Sequence, residues 1–398
     1  MAKPKVCLLC RQKKAMEFLN LGKQPLANKY PKKKDFAKED FFTEKVLFCT
    51  NCKNVQLGTI VSRERMFEDY YYLSSVNMGL VRHFDAWAKK LKKAEFVVDI
   101  GSNDGIFLKP LKKLGVKALG VDPSINVSKI ANDAGLPTIT AFFDEATAQQ
   151  IVKEWGQPDV AVASSIFTHL ENPHQFIEAV KIMMAPKGKF IIEVEYIGNI
   201  IRDVQFERFY LDRIFYYSLT SLRDLAAMHG MVVTDVEEIE PHGGSLRVTM
   251  QNKAAKGKVS AVVKKLLRQE TKALTLTNLK KFKKTVDGSV TAFKDKLKEY
   301  KKTGRKVAGY GAPARVTTIC NYGKIGPDLI AFLIDDSPLK QNKFSPGTHI
   351  PIFPKEHLGS HKPDVLLVFA YEYFADIKKK TAGGKYTYLI PIPPREVK

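Results

Sequence analysis

The chain has 398 residues, 44% of them hydrophobic, and a formal net charge of +22 from 64 basic and 42 acidic residues. It lacks a run of about eighteen apolar residues, which excludes a membrane enzyme. The first residues, from Met1 to Arg11, lack the apolar stretch and cleavage site of a secretory signal, so we expect a cytoplasmic protein. A chain of this size has room for two or three soluble domains.

Four of the five cysteines form two pairs with two residues between the members, Cys7 with Cys10 and Cys49 with Cys52. This spacing lets both thiolates of a turn point at one ion, and two such turns complete a tetrahedral zinc site. The 38 residues between the pairs exceed a usual zinc-ribbon loop, and a disulfide pairing is the alternative. A closed four-thiolate site has no open position for water, so we predict a structural zinc in an N-terminal module, residues 1–75.

Strands and helices alternate between residues 76 and 251, which indicates a doubly wound parallel sheet. A buried strand that starts at Phe96 enters a glycine turn, and a second strand, from Val116, ends at Asp122. The next predicted elements are strand, strand, helix and strand, at residues 138–143, 159–164, 173–184 and 188–196. This order predicts an α/β domain.

The segment Asp99-Ile-Gly-Ser-Asn-Asp-Gly105 places a carboxylate at a strand end and glycines where the chain turns sharply beside a ligand. Its glycines are four residues apart, so it departs from the dinucleotide-binding fingerprint. Asp122 follows Gly105 by 17 residues and ends the next strand, where a carboxylate can accept both hydroxyls of a ribose. Together these features predict an adenosyl site without a pyrophosphate, the pattern of class I methyltransferases that use S-adenosylmethionine.

Two further strand ends fit the same ligand. Phe142 offers an aromatic face for adenine, with packing in the core as the alternative, and the segment from Ser164 to His169 follows the next strand, beside the expected methyl donor. The residues predicted to bind this cofactor are Asp99, Gly101, Asn103, Asp104, Gly105, Asp122, Phe142, Ser164 and His169.

Between residues 252 and 306 the chain carries eighteen basic and four acidic residues, so most of the excess charge lies there. Apolar residues recur in steps of three and four and predict a helix with one buried stripe. The stripe consists of Leu279, Phe282, Val286, Val290, Phe293, Leu297 and Tyr300. Since no groove-reading motif is present, we expect residues 252–305 to form a basic helical connector with a solvated lysine face.

A second α/β pattern begins at residue 306 and predicts a Rossmann-like C-terminal domain, residues 306–398. The turn Gly309-Tyr-Gly-Ala-Pro-Ala-Arg315 opens a helix after a strand and offers free backbone N–H groups to an anionic oxygen. A glycine turn with an ordinary packing role is the alternative.

These motifs occur together in one known family. The chain resembles the three-domain sugar-nucleotide C-methyltransferases, which methylate dTDP-linked and some GDP-linked keto-deoxysugars. The resemblance spans almost the whole chain, and the motifs that carry it are the paired cysteines, Gln24-Pro-Leu-Ala-Asn28, Asp69-Tyr-Tyr-Tyr-Leu-Ser-Ser75, the residue 99–105 loop, His242-Gly-Gly-Ser-Leu-Arg247, the residue 309–315 turn and Pro346-Gly-Thr-His-Ile-Pro351. It implies a class I, Rossmann-like methyltransferase domain flanked by a small zinc module and a C-terminal α/β domain.

The resemblance also implies a chemistry. In that family a base removes the proton beside the ketone of a 4-keto sugar, and the resulting enediolate attacks the sulfonium methyl group. The base lies in a segment of the form F-D-x-x-Y-x-E-H-x-x-Y-x-S, which corresponds here to Phe206-Glu-Arg-Phe-Tyr-Leu-Asp-Arg-Ile-Phe-Tyr-Tyr-Ser218. Tyr210 is retained and Asp212 replaces the glutamate, but Arg213 replaces the histidine. A guanidinium stays protonated, so Arg213 cannot take the proton.

Three alternatives follow for the candidate catalytic residues Tyr72, Tyr210, Asp212, Arg213 and His242. One of Tyr72, Tyr210 and His242 acts as the base for methylation at C3. Alternatively, the acceptor is an amino- or hydroxy-sugar that is methylated on N or O, and Arg213 binds a phosphate or carboxylate. In the third alternative, catalysis is lost and binding remains. A nucleic-acid-binding protein is a remote alternative to all three.

The resemblance implies that the C-terminal domain helps hold the nucleotide-linked sugar. The predicted substrate ligands are Arg247, Tyr310, Arg315, Lys340 and His349. We expect a dTDP- or GDP-linked sugar as partner, no nucleic acid and no membrane, and a monomer or weak dimer.

Overall fold

The structure, a computed structural model, describes residues 5–62 and 73–397. Its strands are, in chain order, β1 Ala15–Pro25, β2 Phe41–Cys49, β3 Val55–Leu57, β4 Phe96–Ile100, β5 Lys117–Val121, β6 Thr138–Ile139, β7 Val160–Ser164, β8 Lys189–Glu195, β9 Phe215–Tyr216, β10 Met231–Ile239, β11 Ser245–Asn252, β12 Val307–Tyr310, β13 Phe332–Ile334, β14 Ile352–Phe353, β15 Val365–Val368, β16 Thr387–Ile390 and β17 Arg395–Val397.

Its α-helices are α1 Met78–Lys90, α2 Leu108–Lys113, α3 Ile125–Asp133, α4 Glu145–Trp155, α5 Pro173–Met183, α6 Ile197–Arg202, α7 Leu219–Met228, α8 Ala261–Ala273, α9 Leu276–Lys302, α10 Ala314–Gly323, α11 His357–His361 and α12 Phe374–Lys380. Short 3-10 segments lie at Lys33–Lys38, Ser74–Val76, Phe167–His169, Phe206–Arg208, Pro241–Gly243, Lys253–Ala255 and Tyr371–Tyr373. Within the described ranges, each helix is too short or too polar to cross a bilayer.

The central sheet has the strand order β10-β11-β8-β7-β4-β5-β6. Strands β4 to β8 run parallel, which confirms the predicted α/β pattern, and every residue of β4 is buried, as expected when helices cover both faces. β11 is antiparallel to both β8 and β10, so the sheet is not purely parallel. Five residues separate Ile239 from Ser245, and a crossover to a parallel neighbour needs about a dozen.

The strand predicted at residues 138–143 is shorter than expected. It pairs with β5 through Thr138 and Ile139, and β5 itself ends at Val121. Beyond Ile139 this edge strand therefore has no neighbour with which to continue the hydrogen-bond ladder. The strands predicted at residues 159–164 and 188–196 agree with β7 and β8 to within one residue.

The N-terminal sheet is antiparallel, with the order β1-β2-β3-β9. Its last strand comes from the middle of the chain, where Phe215 and Tyr216 pair with Gln56 and Val55. The N-terminal module therefore includes residues far beyond the predicted boundary at residue 75, because β9 completes its sheet. The domain boundaries themselves stay predictions.

Residues 252–305 form two helices with different packing partners. The predicted apolar stripe is buried along α9, which confirms it. In contrast, α8 packs on the central sheet, where Val263 and Leu266 join the core that contains β10 residues. Its buried Glu270 accepts the N–H groups of Leu219 at 2.6 Å and Thr220 at 2.7 Å, which places an anion at the N-terminus of α7. The lysines of α8, Lys264, Lys265 and Lys272, are exposed as predicted, while its apolar face is packed on the central domain.

The C-terminal sheet has the order β14-β13-β12-β15-β16-β17, with β17 antiparallel to β16 and the other pairs parallel. One hydrophobic core joins it to the N-terminal sheet along α9. The rings of Phe18, Phe209 and Phe282 meet there at centroid separations of 6.2 to 6.5 Å. The same core includes Leu333 of β13 and Val365 of β15. The N-terminal and C-terminal modules are therefore packed on one another.

Candidate functional site

The two cysteine pairs meet in one four-sulfur cluster. The Sγ atoms of Cys7 and Cys52 are 3.7 Å apart, those of Cys10 and Cys49 are 3.6 Å apart, and all four lie within 4.8 Å of one another. Zn–S bonds of about 2.3 Å place the sulfurs of a tetrahedron about 3.8 Å apart. The set therefore fits zinc, whereas a disulfide would need an S–S distance of about 2.05 Å. Four thiolates complete the coordination, which is typical of a structural ion.

The zinc cluster is tied to helix α5 through His174. Its Nε2 donates to the carbonyl oxygen of Leu9, which lies between the first two cysteines, at 2.8 Å. Its Nδ1 is 2.8 Å from Nε2 of His229, whose Nδ1 is 2.5 Å from a carboxylate oxygen of Glu178. The sequence did not predict this connection, which docks the cluster on the central domain.

The loop after β4 requires its glycines. Gly101 has a φ of +81°, and a Cβ at that position would lie 2.4 Å from Cγ2 of Ile166. Gly105 has a φ of +79°, and a Cβ there would lie 2.6 Å from Cδ1 of Leu136. Both the backbone conformation and the lack of space exclude a side chain. The loop is thus held in the sharp turn that the sequence predicted.

Asp122 holds this loop from the end of β5. Its Oδ2 accepts the N–H of Asn103 at 3.0 Å, and its Oδ1 accepts the N–H of Ser124 at 2.9 Å. Burial raises the pKa of Asp122, and the two N–H donors act in the opposite direction. The carboxylate lies beside the glycine loop, as its strand-end position predicted. Its contact with a ribose stays a prediction.

Two buried polar atoms of the loop, Ser102 Oγ and Asp104 Oδ1, have no hydrogen-bond partner within the described ranges. The other oxygen of Asp104 accepts from Ser75 Oγ at 2.5 Å, and Asn103 Oδ1 accepts the N–H of Ser74 at 2.9 Å. An unpaired buried polar group costs about 1–3 kcal/mol, so the loop is suited to an enclosed polar ligand. Ser74 and Ser75 end the motif Asp69 to Ser75 that carries part of the family resemblance, but they were not named as site residues.

Asp99 is buried at the end of β4. Burial raises its pKa to about 8, and the carboxylates of Asp122 and Glu193 act in the same direction. The side chain is therefore mostly protonated at neutral pH. A cation bound nearby favours the ionised form, and S-adenosylmethionine carries both a sulfonium and an ammonium group. The donor set of the loop thus fits this cofactor.

Two large apolar side chains are exposed near Asp122. Ile125 is 78% exposed at the start of α3, and Phe142 is 59% exposed just after β6. The packing alternative for Phe142 is thus wrong, and both side chains offer surface to a flat, weakly polar ring such as adenine. Ile125 was missed, although an apolar residue three positions after a strand-end carboxylate is a signal that sequence can supply.

Ser164 and Arg247 share the buried carboxylate of Glu193. Ser164 Oγ donates to Glu193 at 2.8 Å, and Arg247 Nη2 is 2.7 Å from the other oxygen. Arg247 also lies 2.9 Å from Glu237 and packs over the ring of Trp87 at 4.2 Å. The guanidinium therefore has several partners inside the protein. Its predicted contact with substrate stays a prediction.

The segment that carries the base in the family lies where the modules meet. Nη1 of Arg213 is 3.0 Å from Glu195 Oε1, and its guanidinium lies 4.8 Å from the ring centre of Tyr210. Asp212 accepts from Nδ2 of Asn28 in the N-terminal module at 2.7 Å. Burial raises the pKa of Tyr210 to about 12, so its phenol stays protonated at neutral pH. Neither Arg213 nor Tyr210 is then a proton acceptor in its resting state.

His169 lies against this segment, and its Nδ1 is hydrogen-bonded to the carbonyl oxygen of Asp212. Because a carbonyl oxygen can only accept, Nδ1 carries the proton and Nε2 carries the lone pair. Burial and the nearby charge of Arg213 lower the pKa of His169 to about 4. The imidazole is therefore neutral at physiological pH.

A second neutral imidazole lies beside the glycine loop. His242 Nε2 is 3.1 Å from Ser165 Oγ, and Ser165 precedes Ile166, which covers Gly101. Burial lowers the pKa of His242 to about 4. The structure thus brings His242 next to the loop predicted to hold the methyl donor. Ser165 lies within the predicted residue 164–169 segment but was not named as a site residue.

Three of the predicted substrate residues in the C-terminal domain have partners within the protein. The hydroxyl of Tyr310 donates to Asp336 at 2.8 Å, and Lys340 donates to a backbone carbonyl at 3.1 Å. His349 is paired with Glu39 of the N-terminal module. These contacts hold loops and modules in place, and the substrate roles of the three residues stay predictions.

Arg315 differs from those three residues. Its Nη2 is 2.8 Å from Glu372 Oε1, while its Nη1 is buried and has no partner in the part of the chain that the structure describes. It therefore keeps a donor for a ligand. Tyr72, the remaining catalytic candidate, lies outside the described residues.

Three families of known proteins match successive parts of the chain. A zinc binding domain family matches residues 7–67, a methyltransferase domain family matches residues 62–236, and the C-methyltransferase C-terminal domain family matches residues 240–393. The C-methyltransferase NovU of Streptomyces niveus is 28% identical over 403 aligned residues, which cover 98% of this chain and 96% of that protein.

Other known proteins are similar to a smaller part of the chain. A ubiquinone biosynthesis O-methyltransferase of Azorhizobium caulinodans is 28% identical over 126 residues, 30% of this chain and 49% of that protein. The magnesium protoporphyrin IX methyltransferase from Synechocystis PCC 6803, solved with bound SAH, is 14% identical, with a TM-score of 0.35 over 44% of this chain and 83% of that one.

The matched families follow one another in the same order as the zinc cluster, the central sheet and the C-terminal sheet. The four sulfurs are arranged for zinc, and the central α/β domain carries a glycine loop with a strand-end carboxylate. The chain is an S-adenosylmethionine-dependent methyltransferase with a structural zinc module, and along almost its whole length it is similar to a C-methyltransferase.

Proposed function

We propose that the protein transfers a methyl group to C3 of a nucleotide-linked 4-keto deoxysugar. Similarity to a C-methyltransferase along almost the whole chain supports a carbon acceptor. The observation that carries the proposal is the hydrogen bond between Ser165 and His242 beside the glycine loop. A carbon acceptor needs a proton acceptor next to the methyl donor, and this pair supplies a neutral imidazole there.

The residue 101–105 loop and Asp122 hold the cofactor in this proposal, with the exposed faces of Ile125 and Phe142 toward its adenine. When bound, S-adenosylmethionine supplies an electrophilic methyl group, whose bond to sulfur breaks as the new bond to carbon forms, with the electron pair staying on sulfur. The protein contributes mainly by alignment, because holding the acceptor carbon roughly 3 Å from the methyl group removes most of the entropic cost of the encounter.

His242 accepts the proton, through Ser165. The carbon beside the ketone loses its proton to Ser165 Oγ, while the hydroxyl proton of Ser165 moves to Nε2 of His242. The electron pair of the broken C–H bond remains on the acceptor as an enediolate, and His242 becomes an imidazolium. The developing negative charge favours this protonated form, which offsets the low pKa of the free imidazole.

Methylation of an amino- or hydroxy-sugar on N or O is the second candidate, because Arg213 replaces the family's histidine. In that case Arg213 holds an anionic group of the acceptor. Its 3.0 Å ion pair with Glu195 favours an internal role instead. A nucleic-acid-binding function is less well supported, because the basic helices α8 and α9 both bury their apolar faces in domain cores.

Solvent exchange tests the carbon acceptor without needing methyl transfer. The enzyme is incubated in D2O with S-adenosylhomocysteine and a dTDP- or GDP-linked 4-keto-6-deoxysugar, and the acceptor is followed by proton NMR. We expect deuterium to enter the carbon beside the ketone faster than in the absence of enzyme. If enzyme that binds S-adenosylhomocysteine and methylates the sugar shows no exchange, the carbon-acid mechanism is contradicted.

A further inference from the structure

Two arginines from different domains converge on one carboxylate. Arg208, from the 3-10 turn after α6, and Arg315, from the start of α10, place their Nη2 atoms 2.6 and 2.8 Å from Glu372 Oε1. The side chains of Arg208 and Arg315 are 6% and 15% exposed, whereas that of Glu372 is 27% exposed. Two largely buried cations therefore share one oxygen of a carboxylate that reaches solvent.

A third guanidinium group and a second shared carboxylate lie beside this pair. Arg208 is also 3.4 Å from Glu195, but the same oxygen of Glu195 is 3.0 Å from Arg213. Three guanidinium groups thus share two carboxylates. The adjacent Glu207 is a further buried carboxylate, which accepts a hydrogen bond from Tyr371 at 2.9 Å, and burial raises its pKa.

The two arginines lie in line with the proposed catalytic pair. His242 contacts Ser165, and the next residue, Gly243, packs against Arg208: a Cβ on Gly243 would lie 2.0 Å from Arg208 Nη2. A continuous row of contacts thus runs from the glycine loop through His242 to Arg208 and on to Arg315. A nucleotide-linked sugar needs this layout, because its diphosphate is joined directly to the sugar.

We propose that Arg208 and Arg315 form the subsite for the diphosphate of the acceptor, and that Glu372 occupies this subsite as a substitute anion until the acceptor binds. This rests on the proposed function, since it takes a nucleotide-linked acceptor. Phosphate oxygens accept from guanidinium groups in the bidentate manner that a carboxylate uses. The diphosphate displaces Glu372 toward solvent and takes its place between the two domains. Nη1 of Arg315, which has no partner among the described residues, provides a further donor.

Titration calorimetry of the full chain tests the subsite with four probes: dTDP, GDP, thymidine and inorganic pyrophosphate. The variant Arg315→Ala is compared with the wild type using whichever of dTDP and GDP the wild type binds more tightly. The affinity of the variant for that nucleoside diphosphate should fall about 10- to 100-fold, which corresponds to the loss of one or two charged hydrogen bonds. Thymidine affinity should not change. Arg395→Ala, an exposed position on β17, is the matched control and should leave all affinities unchanged.

Glu372→Gln separates a substitute anion from a structural bridge. It keeps the size of the side chain and removes its charge, so affinity for the nucleoside diphosphate and for pyrophosphate should rise several-fold. An unchanged or lower affinity would overturn the proposal. Equal affinity of the wild type for pyrophosphate and the nucleoside diphosphate would identify a free anion site and overturn the assignment to the acceptor.

Cofactor binding is the control for correct folding of these variants. Each should bind S-adenosylhomocysteine as the wild type does, which shows that the central domain is folded. If the wild-type protein binds S-adenosylhomocysteine but binds neither nucleoside diphosphate nor pyrophosphate, the proposed diphosphate subsite is contradicted. The methylation of carbon is tested separately by solvent exchange, so failure of one proposal can be told from failure of the other.

Discussion

Ser165 and His242 share a 3.1 Å hydrogen bond, and both adopt a left-handed backbone conformation, with φ of 62° and 57°. For residues other than glycine this conformation costs about 1–3 kcal/mol and persists where the surroundings fix it. Ser165 directly follows β7, and His242 precedes β11 by three residues, so two strands of one sheet hold the pair in register. In the proposed function, these surroundings hold the hydroxyl and the imidazole in the arrangement that a proton relay requires.

Replacing His242 with Gln should remove the proton acceptor while keeping a hydrogen-bonding side chain. We expect kcat for methylation to fall about 10²- to 10⁴-fold. Solvent deuterium should no longer enter the acceptor, and the affinity for S-adenosylhomocysteine should be unchanged. His169→Gln is the matched comparison, because His169 is the other neutral imidazole of the site. Loss of exchange in His169→Gln but not in His242→Gln would transfer the role of base to His169.

Cofactor binding should release a proton from Asp99. Its pKa of about 8 in the free protein leaves it mostly protonated at pH 7, and the cationic groups of the cofactor favour the carboxylate. S-Adenosylhomocysteine retains one of these cations, its ammonium group, so its affinity should rise with pH up to about 8 and then level off. Calorimetry in buffers of different ionisation enthalpy measures the release directly.

Asp99→Asn should abolish the dependence of the binding enthalpy on the buffer. Asp133→Asn, a change in an exposed residue paired with Lys129, should retain it. Wild-type protein that binds the cofactor with the same enthalpy in every buffer would show that Asp99 is already ionised.

Asp122→Ala should weaken cofactor binding for two reasons. It removes the predicted ribose contact, and it releases the N–H groups of Asn103 and Ser124 that the carboxylate accepts. We expect the affinity for S-adenosylhomocysteine to fall about 10- to 100-fold, measured by calorimetry. Asp133→Ala is the control on the adjacent helix, and equal affinities of the two variants would mean that the ribose lies elsewhere.

Loss of one zinc ligand should unfold the N-terminal module. Cys49→Ser should purify with less than one zinc per chain and a lower thermal midpoint, because a structural zinc contributes directly to folding. Cys320→Ala is the control, since Cys320 is buried in the C-terminal domain away from the cluster. Full zinc content in Cys49→Ser, measured by elemental analysis, would contradict the four-sulfur site.

Features set by local spacing could be predicted from the sequence. The glycine loop and each Cys-x-x-Cys pair span only a few residues, and Asp122 follows the strand next along the chain. The apolar stripe of α9 follows the helical repeat and is buried as predicted. Such patterns can be predicted because they depend on the backbone conformation of residues that are close together in the sequence.

Features that depend on distant partners could not be predicted. Arg247 was expected to contact substrate, but its buried partner Glu193 lies 54 residues earlier, and Ser165 is separated from His242 by 77 positions. Strand β9 completes a sheet whose other strands end at residue 57. Charge and spacing alone do not show which buried groups the fold brings together.

The position of a labelled methyl group in the product tests the central claim most directly. The enzyme is incubated with S-adenosylmethionine carrying a 13C-labelled methyl group and with dTDP- and GDP-linked 4-keto sugars and amino-sugars, and the products are analysed by carbon NMR. The account predicts a single labelled methyl group bonded to the sugar carbon beside the ketone. A label bonded to nitrogen or oxygen would contradict it.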